Sequence, residues 1–83
     1  MEKSNIKEWL DDLLKIRFGE TGKTISNLTS LDLFYLYLEI YKEYNVKLPI
    51  ELLISSAMDF ELIVDAIYRM AMSAKNDYSH HWD

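Results

Sequence analysis

Ile6, Trp9, Leu10, Leu13 and Leu14 recur at the i, i+3, i+4, i+7 spacing of one helix face, and Arg17 falls in the same stripe. Lys7, Glu8, Asp11, Asp12 and Lys15 fall elsewhere, so the spacing predicts a first helix over 5–17. Ser4 stands where an N-cap hydroxyl accepts from the first free amides. Phe18-Gly19 with Gly22 marks the end, because Gly adopts the left-handed turn that closes a helix. Residues 18–29 then read as a loop. From Ser30 to Tyr44 there is neither Gly nor Pro and apolar residues dominate, which predicts a second helix. Thr29 and Asp32 form a capping-box variant at its start. Asn45 closes it, and Val46-Lys47-Leu48 is expected to be extended, because Pro49 disfavours helical geometry in Leu48. A short helical turn over 50–55 follows. Asp59 then caps a last helix carrying Phe60, Ile63, Val64, Ile67 and Tyr68, expected to run to about Ala74.

The second helix is unusual in having two apolar sides. At about 100° per residue, Leu33, Leu36, Tyr37, Ile40 and Tyr44 share one side, the expected core face. Leu31, Phe34, Tyr35, Leu38 and Tyr41 share the opposite side, and Asp32, Glu39 and Glu43 make a narrow acidic stripe on one flank. A surface helix needs only one apolar stripe, so the second is expected to meet a partner, with the apolar residues as anchors and the acids as orienting charges.

Eighty-three residues suit one domain, here 1–74, followed by a polar tail over 75–83 that is expected to fray. A chain this short buries only about 60–65% of its unfolded surface, so the core is small. With 49% hydrophobic residues but two Gly and one Pro, long helices joined by short connections fit best. The net charge is −5, with 14 acids against 9 bases, which argues against nucleic acid as a partner. The absence of cysteine excludes disulfides, thiolate nucleophiles and cysteine-ligated zinc. Met1 is followed at once by Glu2, Lys3 and Ser4, and no apolar run reaches spanning length, so a cytoplasmic protein with no membrane partner is expected.

Candidate chemistry along the chain is sparse. His80 and His81 are adjacent and would point about 100° apart on a helix, a poor arrangement for one metal. They lie in the last four residues, with nothing to hold them beside a serine, so no Ser-His-Asp constellation arises. Asp11 and Asp12 read as a solvated flank, and Met58, Met70 and Met72 as packing residues. Gly19-Glu20-Thr21-Gly22-Lys23-Thr24 lacks the glycine spacing and preceding strand of a phosphate-binding loop. Neither an enzyme nor a metal site is expected.

The segment from Ser30 to Pro49 carries a family pattern. Ser30-Leu31-Asp32, then Leu36, Tyr37, Ile40 and Tyr44, then Val46, Leu48 and Pro49, resembles the acyl carrier proteins without a gap, and Asp59-Phe60-Glu61 through Ile67 is similar to the start of that family's last helix. The resemblance implies an all-α, acyl-carrier-like four-helix bundle of three longer helices plus a short third one. It also implies that Ser30 receives 4′-phosphopantetheine, whose thiol carries acyl, aminoacyl or peptidyl cargo as a thioester. The implied partners are a phosphopantetheinyl transferase and cargo-loading or cargo-using enzymes. They would meet Leu31, Asp32, Phe34, Tyr35, Leu38, Glu39 and Tyr41, in a setting such as peptide maturation or secondary metabolism. Bulky Trp9, Tyr37, Tyr44 and Phe60 favour a short cargo over a long fatty chain. Two departures support an alternative. Thr29 stands where the family usually has Asp, and Ser26-Asn27-Leu28 replaces a stretch that commonly holds Gly in a longer loop. The alternative is an unmodified, degenerate carrier that binds a partner, or a second copy of itself, through the apolar face of the second helix.

Overall fold

The computed structural model describes residues 2–55 and 59–81, with side chains described over 2–55 and 59–73. The chain is all-helical in those residues: α1 (Lys3–Leu13), α2 (Ser30–Tyr44), α3 (Ile50–Ser55) and α4 (Phe60–His81) form the bundle. A π-turn over Leu14–Phe18 extends α1, and a 3₁₀ segment over Gly22–Asn27 lies in the first connection.

The first helix begins earlier than its periodicity suggests. Glu2, extended at φ −108° and ψ 146°, is the N-cap, and Ser4 lies inside the first turn. The Glu2 carbonyl accepts from Asn5 and Ile6 at 3.1 and 3.4 Å, and the Glu2 side chain makes no capping bond. Lys3 is drawn onto α4 by a 2.7 Å contact with Asp65. At the other end the wider π-turn advances less per residue, so Arg17 falls short of the core and is exposed while Phe18 packs against it. Gly19, at φ 66°, then reverses the chain, and the Glu20 amide reaches the Leu14 carbonyl at 3.0 Å.

The connection over 18–29 is folded and not open. Thr21 caps the 3₁₀ segment: its hydroxyl accepts from Lys23 at 3.2 Å, and the Thr24 hydroxyl accepts from the Thr21 amide at 2.8 Å. Ile25 and Leu28 are buried and join the core. The Gly22 amide donates to Asp11 at 3.3 Å, so Asp11 anchors the loop and is not merely a solvated carboxylate. Gly22 is placed where a Cβ would lie 3.0 Å from the Phe60 ring.

Ile6 and Leu10 of α1 and Leu14 of the π-turn share one core with Ile63, Val64 and Ile67 of α4, Leu36 and Ile40 of α2 and Leu53 of α3. Val46 and Leu48 are buried from the non-helical link between α2 and α3. Trp9 packs edge-on against Tyr44 with ring centres 5.1 Å apart, joining α1 to the end of α2. Asp59 Oδ1 accepts from the Glu61 and Leu62 amides at 3.0 and 3.3 Å, the expected cap of α4. That helix runs to His81, well past Ala74, since no Gly or Pro interrupts it. Met58, Trp82 and Asp83 lie outside the described residues.

Candidate functional site

Thr29 and Asp32 build the start of α2 reciprocally. The Thr29 hydroxyl accepts from the Asp32 amide at 3.2 Å, and the Asp32 carboxylate accepts from the Thr29 amide at 3.1 Å. With the Leu33 amide bonded to the Thr29 carbonyl at 3.0 Å, the amides of Ser30 and Leu31 are left without an acceptor among the described residues. Ser30 is the first helical residue and is exposed, and its hydroxyl enters no hydrogen bond among those residues. A phosphoryl group on that oxygen would sit at the positive end of α2 beside two free donors, a placement worth about 0.3–1 kcal/mol.

Behind this serine the outer side of α2 is open. Leu31, Phe34, Tyr35 and Tyr41 are 61, 48, 52 and 37% exposed. Leu38, expected on the same side, is half-buried and contributes less. Phe34 stacks on Tyr37 with ring centres 6.3 Å apart, and Lys47 lies 5.5 Å from the centre of the Tyr41 ring. The inner side holds Leu33, Leu36 and Ile40 buried, while Tyr37 and Tyr44 are half-buried against the core. Burial, with the Glu43 charge adding, raises the Tyr44 phenol above its ordinary range.

The acidic stripe is partly spent on local structure. Asp32 is committed to the cap, and Glu39 pairs with Lys42 at 3.6 Å. Glu43 is exposed on the same flank. Glu39 also lines two hollows between α2 and the end of α1: one of about 240 Å³ with Arg17, Phe18 and Tyr35, and one of about 310 Å³ with Trp9, Asp12, Leu13, Ile16 and Arg17. Ile16 is 81% exposed and was not singled out by periodicity. The available signal was an apolar residue standing off the α1 stripe.

Among the described residues no three His, Cys, Asp or Glu side chains are grouped so as to hold a metal ion. The side chains of His80 and His81 lie outside the described ones. Compared with protein-family models, curated proteins and solved structures, the chain finds no match.

Proposed function

We propose that this domain is a specialised carrier in which the Ser30 hydroxyl receives 4′-phosphopantetheine and the arm holds a short acyl, aminoacyl or peptidyl group as a thioester. The observation that supports it most is the exposed Ser30 hydroxyl opening a capped α2, with no hydrogen bond to it or to the Ser30 and Leu31 amides among the described residues. The protein presents the oxygen and stabilises the phosphoryl charge, and the arm supplies the thiol chemistry that a cysteine-free chain lacks. Leu31, Phe34, Tyr35 and Tyr41 then form the apolar ground on which a transferase and cargo-handling enzymes dock, with Leu38, Asp32 and Glu39 at its edges. In this reading the protein acts in the cytoplasm, in peptide maturation or secondary metabolism, and is not itself an enzyme. No described helix is long and apolar enough to cross a membrane.

A second reading has its own support. Four large apolar side chains on α2 are at least one-third exposed, and Thr29 occupies the position before the serine where the acyl carrier proteins usually have Asp. An unmodified module could use the same face to bind a protein partner or a second copy of this chain.

The two readings separate by mass. With coenzyme A and a broad-specificity phosphopantetheinyl transferase, the wild type is expected to gain one phosphopantetheine and Ser30→Ala none. Attachment at Ser26 or Ser55 would overturn the site, and an unchanged mass across several transferases would favour the unmodified module.

A further inference from the structure

Beside the Ile63, Val64 and Ile67 positions that enter the core, α4 carries a second apolar stripe whose Ala66 and Met70 are partly buried against that core and whose Leu62 is 52% exposed. Leu62, Ala66 and Met70 follow each other at i, i+4 and i+8, one above another. Ala66 is the small member, so a gap opens between its neighbours, and Leu52 of α3 forms the facing wall. The result is a hollow of about 450 Å³ lined by Leu52, Leu62, Ala66 and Met70, with Arg69 and Ser73 as its polar members. The hollow is an open groove, with Leu62 52% and Leu52 37% exposed, and its mostly apolar lining with a few polar groups suits an apolar chain bearing one polar head.

Arg69 is the one charged side chain among the described residues that line the groove. Asp65 is shared by Lys3 and Arg69, each at 2.7 Å, so its charge is divided between two cations and Arg69 does not neutralise it alone. The Lys3 hydrogen bond, with help from Arg69 and against a smaller burial effect, holds Asp65 below the usual carboxylate range. Arg69 engages Asp65 through Nη2, and a guanidinium has five N–H donors, so others remain for a ligand.

We propose that this groove binds a free single-chain carboxylate amphiphile, its tail along Leu52, Leu62, Ala66 and Met70 and its carboxylate at Arg69. A protein partner needs about 800 Å² on each side, far more than six side chains offer. An extended anionic membrane surface would face the chain's charge of −5 across many headgroups, whereas a single carboxylate at the groove meets chiefly Arg69. The site goes beyond the carrier reading and does not depend on modification of Ser30.

Calorimetric titration of the unmodified protein with decanoate, decanol and decyltrimethylammonium, all below their aggregation concentrations, tests this. Decanoate should bind tightest and the cation weakest. Arg69→Gln should weaken decanoate about fivefold and leave decanol unchanged. Leu62→Gln should weaken both by about tenfold or more. Arg69 is 74% exposed on its side chain and Leu62 52% exposed, so both variants should keep the fold, which thermal melts verify. Ser30→Ala should bind as the wild type does, so that failure of the carrier reading leaves this one standing and the reverse. Absence of decanoate binding at millimolar concentration, equal affinity for all three probes, undiminished decanoate binding by Arg69→Gln or Leu62→Gln, or loss of binding in Ser30→Ala would each overturn the proposal.

Discussion

Substituting the two sides of α2 should separate core from surface. Leu36 is fully buried, and truncating such a leucine to Ala costs about 2–5 kcal/mol through lost transfer energy and the cavity left behind. A chain of 83 residues has roughly 4–12 kcal/mol in total, so Leu36→Ala removes a large part of its stability. Phe34 is 48% exposed and its main partner is the stacked Tyr37 ring, an interaction worth about 0.5–1.5 kcal/mol. Phe34→Glu places its charge in water and loses little beyond that stack. At about 4–8 °C per kcal/mol for a domain of this size, Phe34→Glu should lower Tm by no more than about 12 °C, and Leu36→Ala by about 8 °C at the least and up to about 40 °C. The ranges meet at their edges, so the comparison uses paired variants. Leu31→Glu joins Phe34→Glu, and Ile40→Ala joins Leu36→Ala. Far-UV circular dichroism melts and light scattering report fold and association together. If both surface variants melt as low as both core variants, the outer side of α2 is internal packing and the docking surface assigned to it is wrong.

Three further outcomes follow from local geometry. Gly22→Ala should cost about 1–3 kcal/mol in urea unfolding, because its Cβ would press on the body of the Phe60 ring at 3.0–3.3 Å and the ring must shift; an unchanged midpoint would show that the loop yields instead. Thr29→Ala should cost about 0.5–2 kcal/mol by deleting the α2 cap, whereas Thr29→Asp should keep the cap and speed modification by a generic transferase; an equal or slower rate with an intact fold would show that Thr29 is not what limits recognition. Asp65 has a lowered folded-state pKa, so its stabilising contribution is fully present above the unfolded value of 3.8 and is lost as pH falls through the folded value. Asp65→Asn should therefore be less stable than wild type at pH 6, with the gap closing below about pH 4 in denaturant titrations; a gap that persists in acid would point to packing instead of charge.

The parts of the fold legible from sequence are those whose causes are local. The Thr29–Asp32 box, the left-handed Asn45 at φ 56°, the non-helical Val46–Leu48 link before Pro49 and the Asp59 cap each depend on a few neighbouring residues, and α2 and α3 occur over their expected spans. What periodicity could not supply came from contacts distant in sequence. Lys3 meets Asp65 and α1 starts early, Gly22 binds Asp11 and the first loop folds, and the π-turn sends Arg17 outward while Phe18 packs. The α4 terminus was misjudged for a different reason: polar residues after Ala74 suggested an end, yet none of them breaks a helix. In the candidate site, the position of Ser30 and the outward side of α2 follow from capping and spacing. The partial burial of Leu38, the exposure of Ile16 and the depth of the groove over Ala66 depend on which helix lies alongside.

The central claim concerns one oxygen atom. Intact-mass spectrometry of the protein isolated from its own cells, followed by fragmentation to locate any added group, addresses it without the choice of a transferase. The carrier account predicts a population heavier by one phosphopantetheine, with or without cargo, and the addition mapped to Ser30. An entirely unmodified population from cells whose other carriers are modified would contradict it.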